Sequence, residues 1–508
     1  MSPSGWVSCL PYNAIALDRH RRPPLTITKK ERELSNHVRR RWQLLRRLRQ
    51  LIQFLGLALF LYLFVRTTRE GGSPIPVNLF ARLDPLLALS SMLAARRAIP
   101  NFAPAIITVV ATLALGRIWC GWICPLGTVL DLFGTNVREA IPERFRQAKY
   151  FLLFVVIVAA LLASLPLLWL DPITILLSPL AGVVYPTILP EIGTPATSWT
   201  GEPLQPVVYP ILALPLVIIL GLNLVVRRFW CRYLCPLGAL VALLSKFSWL
   251  KRFVADSCPE CKQCVPQCPM DTISQEDFSS DPGECVQCLN CFARCADASL
   301  TFKGGWSPGL GHEYDPSRRQ FLASLATGVV AASLPKTGLL KAKNPYPLRP
   351  PGAREEEFLT RCVRCGECIK VCPHNALHPA LFEAGLEGVW TPMLVPRLGY
   401  CVYSCNACGQ VCPSGAIPPL SLEEKRKAVI GTAQVDRDIC TSCMLCRHMC
   451  PVRAIEVVYV EVEGKRNTFL KVAPELCIGC GICEYFCPRD RLPGGEPAIR
   501  VYAPGALG

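Results

Sequence analysis

Cysteine is the residue type whose number and spacing in this sequence can carry chemistry, with 29 copies among 508 residues. Apart from Cys9 and four others treated below, the cysteines form six groups of four. Five groups have the spacing Cys-x2-Cys-x2-Cys-x3-Cys, and the remaining one has an additional residue in its first gap. The groups are Cys258, Cys261, Cys264 and Cys268; Cys285, Cys288, Cys291 and Cys295; Cys362, Cys365, Cys368 and Cys372; Cys401, Cys405, Cys408 and Cys412; Cys440, Cys443, Cys446 and Cys450; and Cys477, Cys480, Cys483 and Cys487.

This spacing is typical of ligands to [4Fe–4S] clusters. Three closely spaced cysteines wrap around one cubane, and the fourth, before a proline, binds the second cluster of a two-cluster unit. Proline follows every group except the second, where Ala296 takes its place. The pattern therefore predicts six [4Fe–4S] clusters in α+β modules like bacterial ferredoxins. In the first module, Cys268 would join Cys285, Cys288 and Cys291.

Zinc and haem are the alternative occupants of cysteine-rich sites. Structural zinc uses two Cys-x2-Cys pairs that lie farther apart, often with histidine, so six compact groups favour iron–sulfur clusters. No Cys-x-x-Cys-His sequence is present, and no covalent haem is expected. His374 follows one cysteine group and His448 lies inside another; each is either a surface residue or a group that tunes a cluster potential.

A shorter cysteine motif occurs twice outside these groups. Cys120 and Cys124 belong to Arg-Ile-Trp-Cys-Gly-Trp-Ile-Cys-Pro-Leu-Gly, and Cys231 and Cys235 belong to Arg-Phe-Trp-Cys-Arg-Tyr-Leu-Cys-Pro-Leu-Gly. A Cys-x3-Cys pair at a helix end places both sulfurs on one face. The pairs are candidate redox or metal-binding pairs, close to where a quinone would lie in the membrane. The alternative is that they are structural thiols at a point where proline ends a helix.

Composition indicates that part of the chain lies in lipid. Hydrophobic residues make up 51% and charged residues only 18%, against about 25% charged in average proteins. About 20 apolar residues cross a bilayer as a helix. Four apolar runs are predicted to cross in this way: Gln50–Val65, Ile99–Gly116, Tyr150–Leu170 and Pro206–Val226.

Basic residues predict the orientation of these helices. Residues 1–50 hold 12 Lys or Arg and residues 135–149 are also basic, whereas residues 171–205 have no Lys or Arg. The N-terminus and the first two cysteine groups are therefore expected in the cytoplasm, although the basic residues in 66–98 depart from the rule. Nucleic-acid binding is the alternative for the N-terminal charge, but no base-recognition motif accompanies it.

A twin-arginine sequence separates the two cysteine-rich parts. Arg318 and Arg319 precede a mildly apolar run at 321–334 without a small-residue cleavage site. The segment resembles a twin-arginine export signal and predicts an uncleaved fifth membrane segment. The alternative is a basic surface turn before a short amphipathic helix. Export would place residues 352–508 outside the cytoplasm, beyond a proline-rich linker.

The predicted fold class is a polytopic α-helical membrane domain with ferredoxin-like modules. Its predicted segments are a basic cytoplasmic segment (1–48), a four-helix membrane domain (49–250), a two-cluster module (251–310), a twin-arginine segment with linker (311–351) and a four-cluster domain (352–508).

The motifs also resemble two known groups of ferredoxin-type proteins. The first 310 residues resemble the NapH/NosR/MauN membrane ferredoxins, on the paired Cys-x3-Cys-Pro motifs followed by two cysteine groups. Residues 315–495 resemble the exported NapG/MauM polyferredoxins. The resemblance implies a quinol dehydrogenase component in a bacterial or archaeal cytoplasmic membrane. It would relay electrons from the quinone pool to a periplasmic reductase or c-type cytochrome.

Two other functions remain open. The paired cysteines also fit a maturation factor that handles copper, with the clusters supplying reducing electrons. A scaffold with structural clusters is the third hypothesis, although six clusters exceed what a scaffold needs. No acid–base residue for quinol is predicted, because Asp131 and Asp171 lie near predicted helix ends and are expected to be caps.

Overall fold

The computed structural model describes residues 29–67, 76–134, 143–188, 209–295, 299–305, 318–334, 347–462, 465–491 and 495–506. Cys9, the basic residues before 29, part of the predicted outer loop (189–208) and the first part of the proline-rich linker lie outside these ranges.

Residues 29–245 form a bundle of apolar helices. Proline at the first position and a capping aspartate start two of them, α3 at Asp84 and α7 at Asp171, since proline needs no N–H donor there. The helices are α1 (Lys29–Arg66), α2 (Leu79–Arg82), α3 (Pro85–Ala95), α4 (Ala105–Leu115), α5 (Pro125–Leu132), α6 (Ala148–Leu161), α7 (Pro172–Pro179), α8 (Tyr185–Ile188), α9 (Leu214–Val225) and α10 (Pro236–Ser245). Single turns of 3-10 helix lie at Pro100–Phe102, Glu143–Gln147, Pro166–Leu170 and Pro210–Ala213, and π-helical turns lie at Trp119–Ile123, Leu180–Val184 and Trp230–Leu234.

Two sequence expectations about this bundle are wrong. The apolar run 150–170 is not one helix, because α6 ends at Leu161, Ala163 takes a left-handed φ of 56°, and a separate turn begins at Pro166. The segments 66–98 and 171–205 are not plain loops, since they contain α3 and α7. Among the described residues, only His37–Arg66 of α1 is long and apolar enough to cross a membrane by itself.

Four small antiparallel sheets of two strands each, together with short helices, carry the cysteine groups at either end of the bundle. The first cluster module, residues 250–305, consists of β1 (Leu250–Val254), α11 (Asn290–Arg294) and β2 (Leu300–Gly304), with β1 paired to β2. The C-terminal domain, residues 347–506, pairs β3 with β4, β5 with β8 and β6 with β7, all antiparallel. Its elements are α13 (Glu355–Leu359), α14 (Glu367–Lys370), β3 (Leu377–Pro379), β4 (Pro392–Leu394), α15 (Ala407–Gln410), α16 (Leu422–Lys427), β5 (Thr432–Val435), α17 (Leu445–Met449), β6 (Ile455–Val462), β7 (Lys465–Val472), α18 (Ile482–Tyr485) and β8 (Ile499–Tyr502).

The course of α6 shows that the two cluster-bearing parts lie at opposite ends of the bundle. At its start, Lys149 pairs with Glu284 of the first cluster module. Just beyond its end, the Leu165 carbonyl accepts a hydrogen bond of 2.6 Å from Arg364 of the C-terminal domain. Helix α6 therefore extends from one cluster-bearing part to the other.

Helices α1 and α9 give the same assignment of ends. Trp42 of α1 packs against Phe292 of the first cluster module, with ring centroids 4.5 Å apart, and Phe64 at the other end lies 3.9 Å below Lys370 Nζ. Helix α9 runs the opposite way. It follows Tyr209, which contacts the C-terminal domain, and it leads into the π-turn at Trp230–Leu234, beside the first cluster module.

The twin-arginine segment forms a helix against the bundle. Helix α12 (Arg318–Ser333) lies alongside α6 in the same direction, with Gln320 hydrogen-bonded to Gln147 at 2.9 Å and Phe321 stacked near Phe154. Further along, Gly328 meets Val158 so closely that an added Cβ would lie 2.7 Å from it. Helix α12 therefore leads from the end that holds the first cluster module toward the C-terminal domain.

Candidate functional site

The cysteine groups share one backbone device. In five of the six groups, the residues on both sides of the second cysteine have left-handed φ values. Arg364 (59°) and Gly366 (80°) flank Cys365, and Ser442 (52°) and Met444 (66°) flank Cys443. Such φ values are strained for residues other than glycine and occur mostly at functional sites, where they turn backbone N–H groups inward. The irregular group at Cys401–Cys412 lacks this pattern.

Four cavities show which cysteines lie together. Each cavity is lined by the first three cysteines of one group and the last cysteine of its partner group. This is the crossed arrangement that the sequence predicts for two-cluster ferredoxin modules. The sets are Cys285, Cys288, Cys291 with Cys268; Cys362, Cys365, Cys368 with Cys412; Cys440, Cys443, Cys446 with Cys487; and Cys477, Cys480, Cys483 with Cys450.

The crossed arrangement is less complete in the two remaining cysteine groups. Cys408 interacts electrostatically with Cys401, Cys405 and Cys372, which again gives the crossed set. Cys258, Cys264 and Cys295 pack around one apolar cluster of the first module, while Cys261 is exposed.

Backbone amides donate to several of the cysteine sulfurs that precede proline. Ala376 N–H lies 3.2 Å from Cys372 Sγ, and Ala454 N–H lies 3.3 Å from Cys450 Sγ. Charge-bearing sulfur accepts such bonds, and hydrogen bonds to sulfur are one of the ways proteins set a cluster's reduction potential. The cavities and these donors fit [4Fe–4S] clusters, which would supply one-electron redox chemistry.

The spacing of the sulfurs does not fit a single bound ion. Within the described ranges, no group of three or more His, Cys, Asp or Glu side chains is placed to hold a metal ion. The cysteine groups share this feature because the ligands of a cubane stand around the cluster rather than converging on one atom.

The two Cys-x3-Cys motifs have the same local structure. Each starts with a π-helical turn, and its second cysteine ends that turn and precedes the proline that starts α5 or α10. In both copies the N–H of the second cysteine donates to the carbonyl of the tryptophan before the first cysteine, at 2.9 Å. The internal sequence repeat is therefore also a structural repeat.

The two motifs meet inside the bundle. All four cysteines are buried and none forms a disulfide. Cys124 interacts electrostatically with Cys120 and Cys231, and Cys235 interacts with the other three. The structure thus brings together two pairs that the sequence predicts separately. The repeated sequence indicates that the two motifs are related in structure. It does not predict that the two copies contact each other.

The arginine that leads each motif reaches across to the other copy. Arg117 Nη2 lies 3.1 Å from the position that a Cβ would take on Gly238, and Arg228 Nη2 lies 4.0 Å from the equivalent position on Gly127. Both guanidinium groups are fully buried. The four cysteines therefore have two cationic side chains beside them.

Carboxylates hold these arginines in place. Arg117 pairs with Glu284 at 2.9 Å, and Arg228 pairs with Asp131 at 2.7 Å. Burial acts to raise the pKa of Glu284, but Lys149 and Arg117 outweigh it and lower that pKa, so the carboxyl is ionised. The expectation that Asp131 is a helix cap is wrong, because its carboxylate binds Arg228 instead.

Two buried carboxyl groups, those of Asp84 and Asp171, lie near the four buried cysteines. Asp171 caps α7 as expected, accepting from the Ile173 and Thr174 N–H groups. Asp84 caps α3, and its carboxyl group interacts electrostatically with that of Asp171. Asp84 also interacts electrostatically with Cys124. The sequence analysis missed Asp84, although Asp-Pro before an apolar run is a recognisable helix start.

Histidine side chains lie both at the surface and at the junction between the C-terminal domain and the bundle. His448 is exposed, and His374 stacks near Tyr400 with ring centroids 4.6 Å apart. His378, which the sequence analysis passed over, is buried where the C-terminal domain meets the bundle, and its Nδ1 lies 2.9 Å from Tyr209 Oη. Burial lowers the pKa of His378 to about 4, so its imidazole is neutral.

Family models match both halves of the chain. A model described as a 4Fe-4S binding domain matches residues 98–141 and again 208–254. Models described as 4Fe-4S dicluster domains match residues 361–417, 400–454 and 439–491. These matches identify the chain as an iron–sulfur protein with several ferredoxin domains.

Curated relatives give the family. Methylamine utilization ferredoxin-type protein MauM of Methylorubrum extorquens is 36% identical over 168 residues, which are 30% of this chain and 75% of that protein. Ferredoxin-type protein NapH of Escherichia coli is 28% identical over 292 residues, 53% of this chain and 91% of that protein. Regulatory protein NosR of Pseudomonas aeruginosa is 31% identical over 200 residues, 36% of this chain but 24% of that protein.

The chain belongs to the NapH/NosR/MauM-type ferredoxins, a family of iron–sulfur electron-transfer proteins. No solved structure matches it.

Proposed function

We propose that this protein oxidises quinol in the membrane and passes the electrons through six [4Fe–4S] clusters to a reductase or c-type cytochrome on the far side. The observation that carries the proposal is the position of the cluster-bearing parts at opposite ends of the same helices. An electron carrier that served one side only would need no cysteine groups at the other end.

The surface of the bundle supports a membrane location. Ile106 and Ile107 of α4 are 64% and 66% exposed, and Val217 of α9 is 61% exposed. Helices α4 and α9 contain no charged residue. Contiguous exposed apolar surface of this kind is rare in water-soluble proteins and is covered by lipid in membrane proteins.

The helix directions support a proposed total of five crossings. Helices α1, α6 and α12 run from the end that holds the first cluster module to the end that holds the C-terminal domain, and the segments leading through α4 and α9 return. An odd number of crossings places residues 347–506 on the side opposite the N-terminus. Arg318 and Arg319 at the start of α12 then serve as a twin-arginine export signal that is retained as the fifth crossing.

The buried carboxyl pair gives quinol oxidation a proton acceptor. Oxidation of a quinol releases two electrons and two protons, and the clusters take up only the electrons. Asp84 and Asp171 lie between the four buried cysteines and the C-terminal domain. Two carboxyl groups this close in a dry site hold a proton between them, so the pair can exchange protons.

Electron delivery from quinol tests the proposal directly. The full chain in anaerobic proteoliposomes should show bleaching of cluster absorbance when a menaquinol or ubiquinol analogue is added. Dithionite reduction measures the total cluster content. Clusters that dithionite reduces but neither quinol reduces, in a membrane that retains its native partner, would rule out quinol as the donor.

Copper handling has less support. The names of the three relatives given above describe ferredoxin-type or regulatory proteins, and none describes a metal-insertion protein.

A further inference from the structure

The segments 98–141 and 208–254 each match a 4Fe-4S binding domain, yet neither has enough cysteines for one cluster. The first contains only Cys120 and Cys124, and the second only Cys231 and Cys235. A [4Fe–4S] cluster takes four cysteine ligands. The two segments can satisfy that requirement only together, and the structure places their cysteine pairs face to face inside the bundle.

We propose that Cys120, Cys124, Cys231 and Cys235 bind a seventh [4Fe–4S] cluster, held inside the membrane bundle between the two copies of the repeat. Each copy contributes two thiolates from one π-helical turn. The site is separate from the six cysteine groups and from the crossed sets that their cavities show.

Charge is the first argument for a cluster at this position. An oxidised [4Fe–4S] core with four thiolates has a net charge of about −2, and burying it away from water requires cationic partners. Arg117 and Arg228 supply two guanidinium groups, both fully buried and one from each copy. Each arginine shares its carboxylate with a second cation, Glu284 with Lys149 and Asp131 with Arg49, so an excess of positive charge remains beside the four thiols.

Unpartnered donors are the second argument. The indole N–H groups of Trp119 and Trp230 are buried without a hydrogen-bond partner among the described residues, and so are Nε and Nη2 of Arg117. Each tryptophan directly precedes the first cysteine of its motif. Buried donors without partners are rare in native proteins, and a cluster's sulfurs would accept from them.

Hydrogen bonds from the backbone after the proline to the cysteine sulfur are the third argument. Gly238 N–H donates to Cys235 Sγ at 3.2 Å, and Gly127 N–H donates to Cys124 in the other copy. The ferredoxin-like groups have a similar bond, from Ala376 N–H to Cys372 Sγ at 3.2 Å. In both kinds of Cys-Pro turn the cysteine sulfur accepts a backbone N–H, from the third residue after the cysteine in the bundle and from the fourth in the cluster module.

The position of the site gives it a role that rests on the proposed function. On one side, the Val286 carbonyl would lie 2.0 Å from a Cβ added to Gly121, so the Cys285–Cys288 loop packs directly onto the first motif. On the other side, Cys365 shares one continuous apolar core with Cys120 and Cys124. The seventh cluster would accept one electron from a neighbouring cluster and release it to the next, with no bond made or broken.

Cluster counting tests the inference without any quinol assay. Native mass spectrometry of the full chain, purified anaerobically in detergent, should show seven [4Fe–4S] clusters, or about 28 irons and 28 sulfides per chain. A maximum of six clusters in the intact chain would overturn the inference, and so would a mass increment for a lone copper or zinc ion.

Substitution then locates the cluster. The variant with Cys120, Cys124, Cys231 and Cys235 all changed to Ala keeps the core apolar and should lose about four irons, while Cys9→Ser should lose none. Iron content equal to wild type in the alanine variant would overturn the assignment. If quinol fails as a donor while seven clusters are counted, the proposed function falls and the site stands.

Discussion

Arg117 and Glu284 form a buried ion pair, with 2.9 Å between Nη1 and Oε2, that joins the first Cys-x3-Cys motif to the first cluster module. Glu284 also accepts a hydrogen bond of 2.9 Å from Tyr150 Oη and pairs with Lys149. One carboxylate thus pairs with two buried cations at the junction between the bundle and the module, and a net positive charge remains there.

Replacing this carboxylate should weaken the junction strongly. Glu284→Gln leaves Arg117 and Lys149 without a counter-charge, and breaking a buried pair costs about 3–5 kcal/mol. We expect residues 250–305 to become sensitive to limited proteolysis, with a lower thermal midpoint for loss of cluster absorbance. Asp271→Asn is the matched control, because its carboxylate is half exposed and pairs with Arg146 and Arg232. Equal sensitivity in both variants would contradict the central role of Glu284.

Close packing at Gly121 makes a second prediction. A Cβ there would lie 2.0 Å from the Val286 carbonyl, so Gly121→Ala must displace the loop that carries Cys285 and Cys288. We expect fewer irons per chain and a slower electron transfer between the bundle and the first module. Gly221→Ala in α9 is the control, since nothing lies within 4 Å of its added Cβ. Iron content is measured per chain for both variants; an intact cluster set in Gly121→Ala would show that the loop moves freely.

The grouping of the cysteines was predictable from sequence because their spacing is local. Each Cys-x2-Cys-x2-Cys loop closes around one cavity, and the crossed fourth ligand follows from the known two-cluster module. The structure shows this crossing for sets such as Cys440, Cys443, Cys446 and Cys487.

The centre of the bundle was not predictable in the same way. Cys120 and Cys231 come together only through the tertiary packing of the bundle, which no local pattern describes. The run 150–170 predicts one helix because its composition is apolar throughout. The break at Ala163 depends instead on the left-handed backbone of that residue, before Pro166. Asp84 was passed over because hydropathy averages conceal a single buried carboxyl.

His378 predicts a pH dependence at the junction of the C-terminal domain. Its pKa is about 4 in the folded protein against an ordinary value of 6.5, so the unfolded chain binds the proton more tightly. Stability contributed by the neutral imidazole is complete above pH 6.5 and falls as the pH drops toward 4. The loss between pH 6.5 and pH 5 should be about 2 kcal/mol.

Thermal midpoints at pH 7 and pH 5, followed through cluster absorbance, measure this effect. His378→Gln should flatten the dependence, whereas His448→Gln, at an exposed position, should keep it. A wild-type slope in His378→Gln would assign the pH dependence to other groups.

Sidedness is tested at Arg318 and Arg319. If they begin a retained export signal, a twin-arginine-compatible reporter fused after residue 508 is active outside the cytoplasm, and changing both to Lys traps it inside. The control changes Arg21 and Arg22 to Lys, which keeps the charge of another twin pair that two prolines, rather than an apolar run, follow. Protection of the wild-type C-terminus from protease in spheroplasts would place every cluster on the cytoplasmic side.

The carboxyl pair makes the last prediction, that Asp84→Asn slows quinol-driven cluster reduction at least about tenfold. Asparagine is also a good N-cap, so α3 keeps its start while the site loses a group that can take up a proton. Iron content and dithionite reduction should stay at wild-type values, because Asp84 is not a cluster ligand.

The measurement is stopped-flow absorbance after mixing with quinol, compared with Asp436→Asn. Asp436 is an exposed turn aspartate in the C-terminal domain that accepts from the Asp438 N–H, so its replacement changes the same chemical group far from the bundle. Asp171→Asn should repeat the Asp84 effect, since the pair acts as one proton-holding unit. Full quinol rates in both Asp84→Asn and Asp171→Asn would show that the proton leaves by another route and that these carboxyl groups serve only as helix caps.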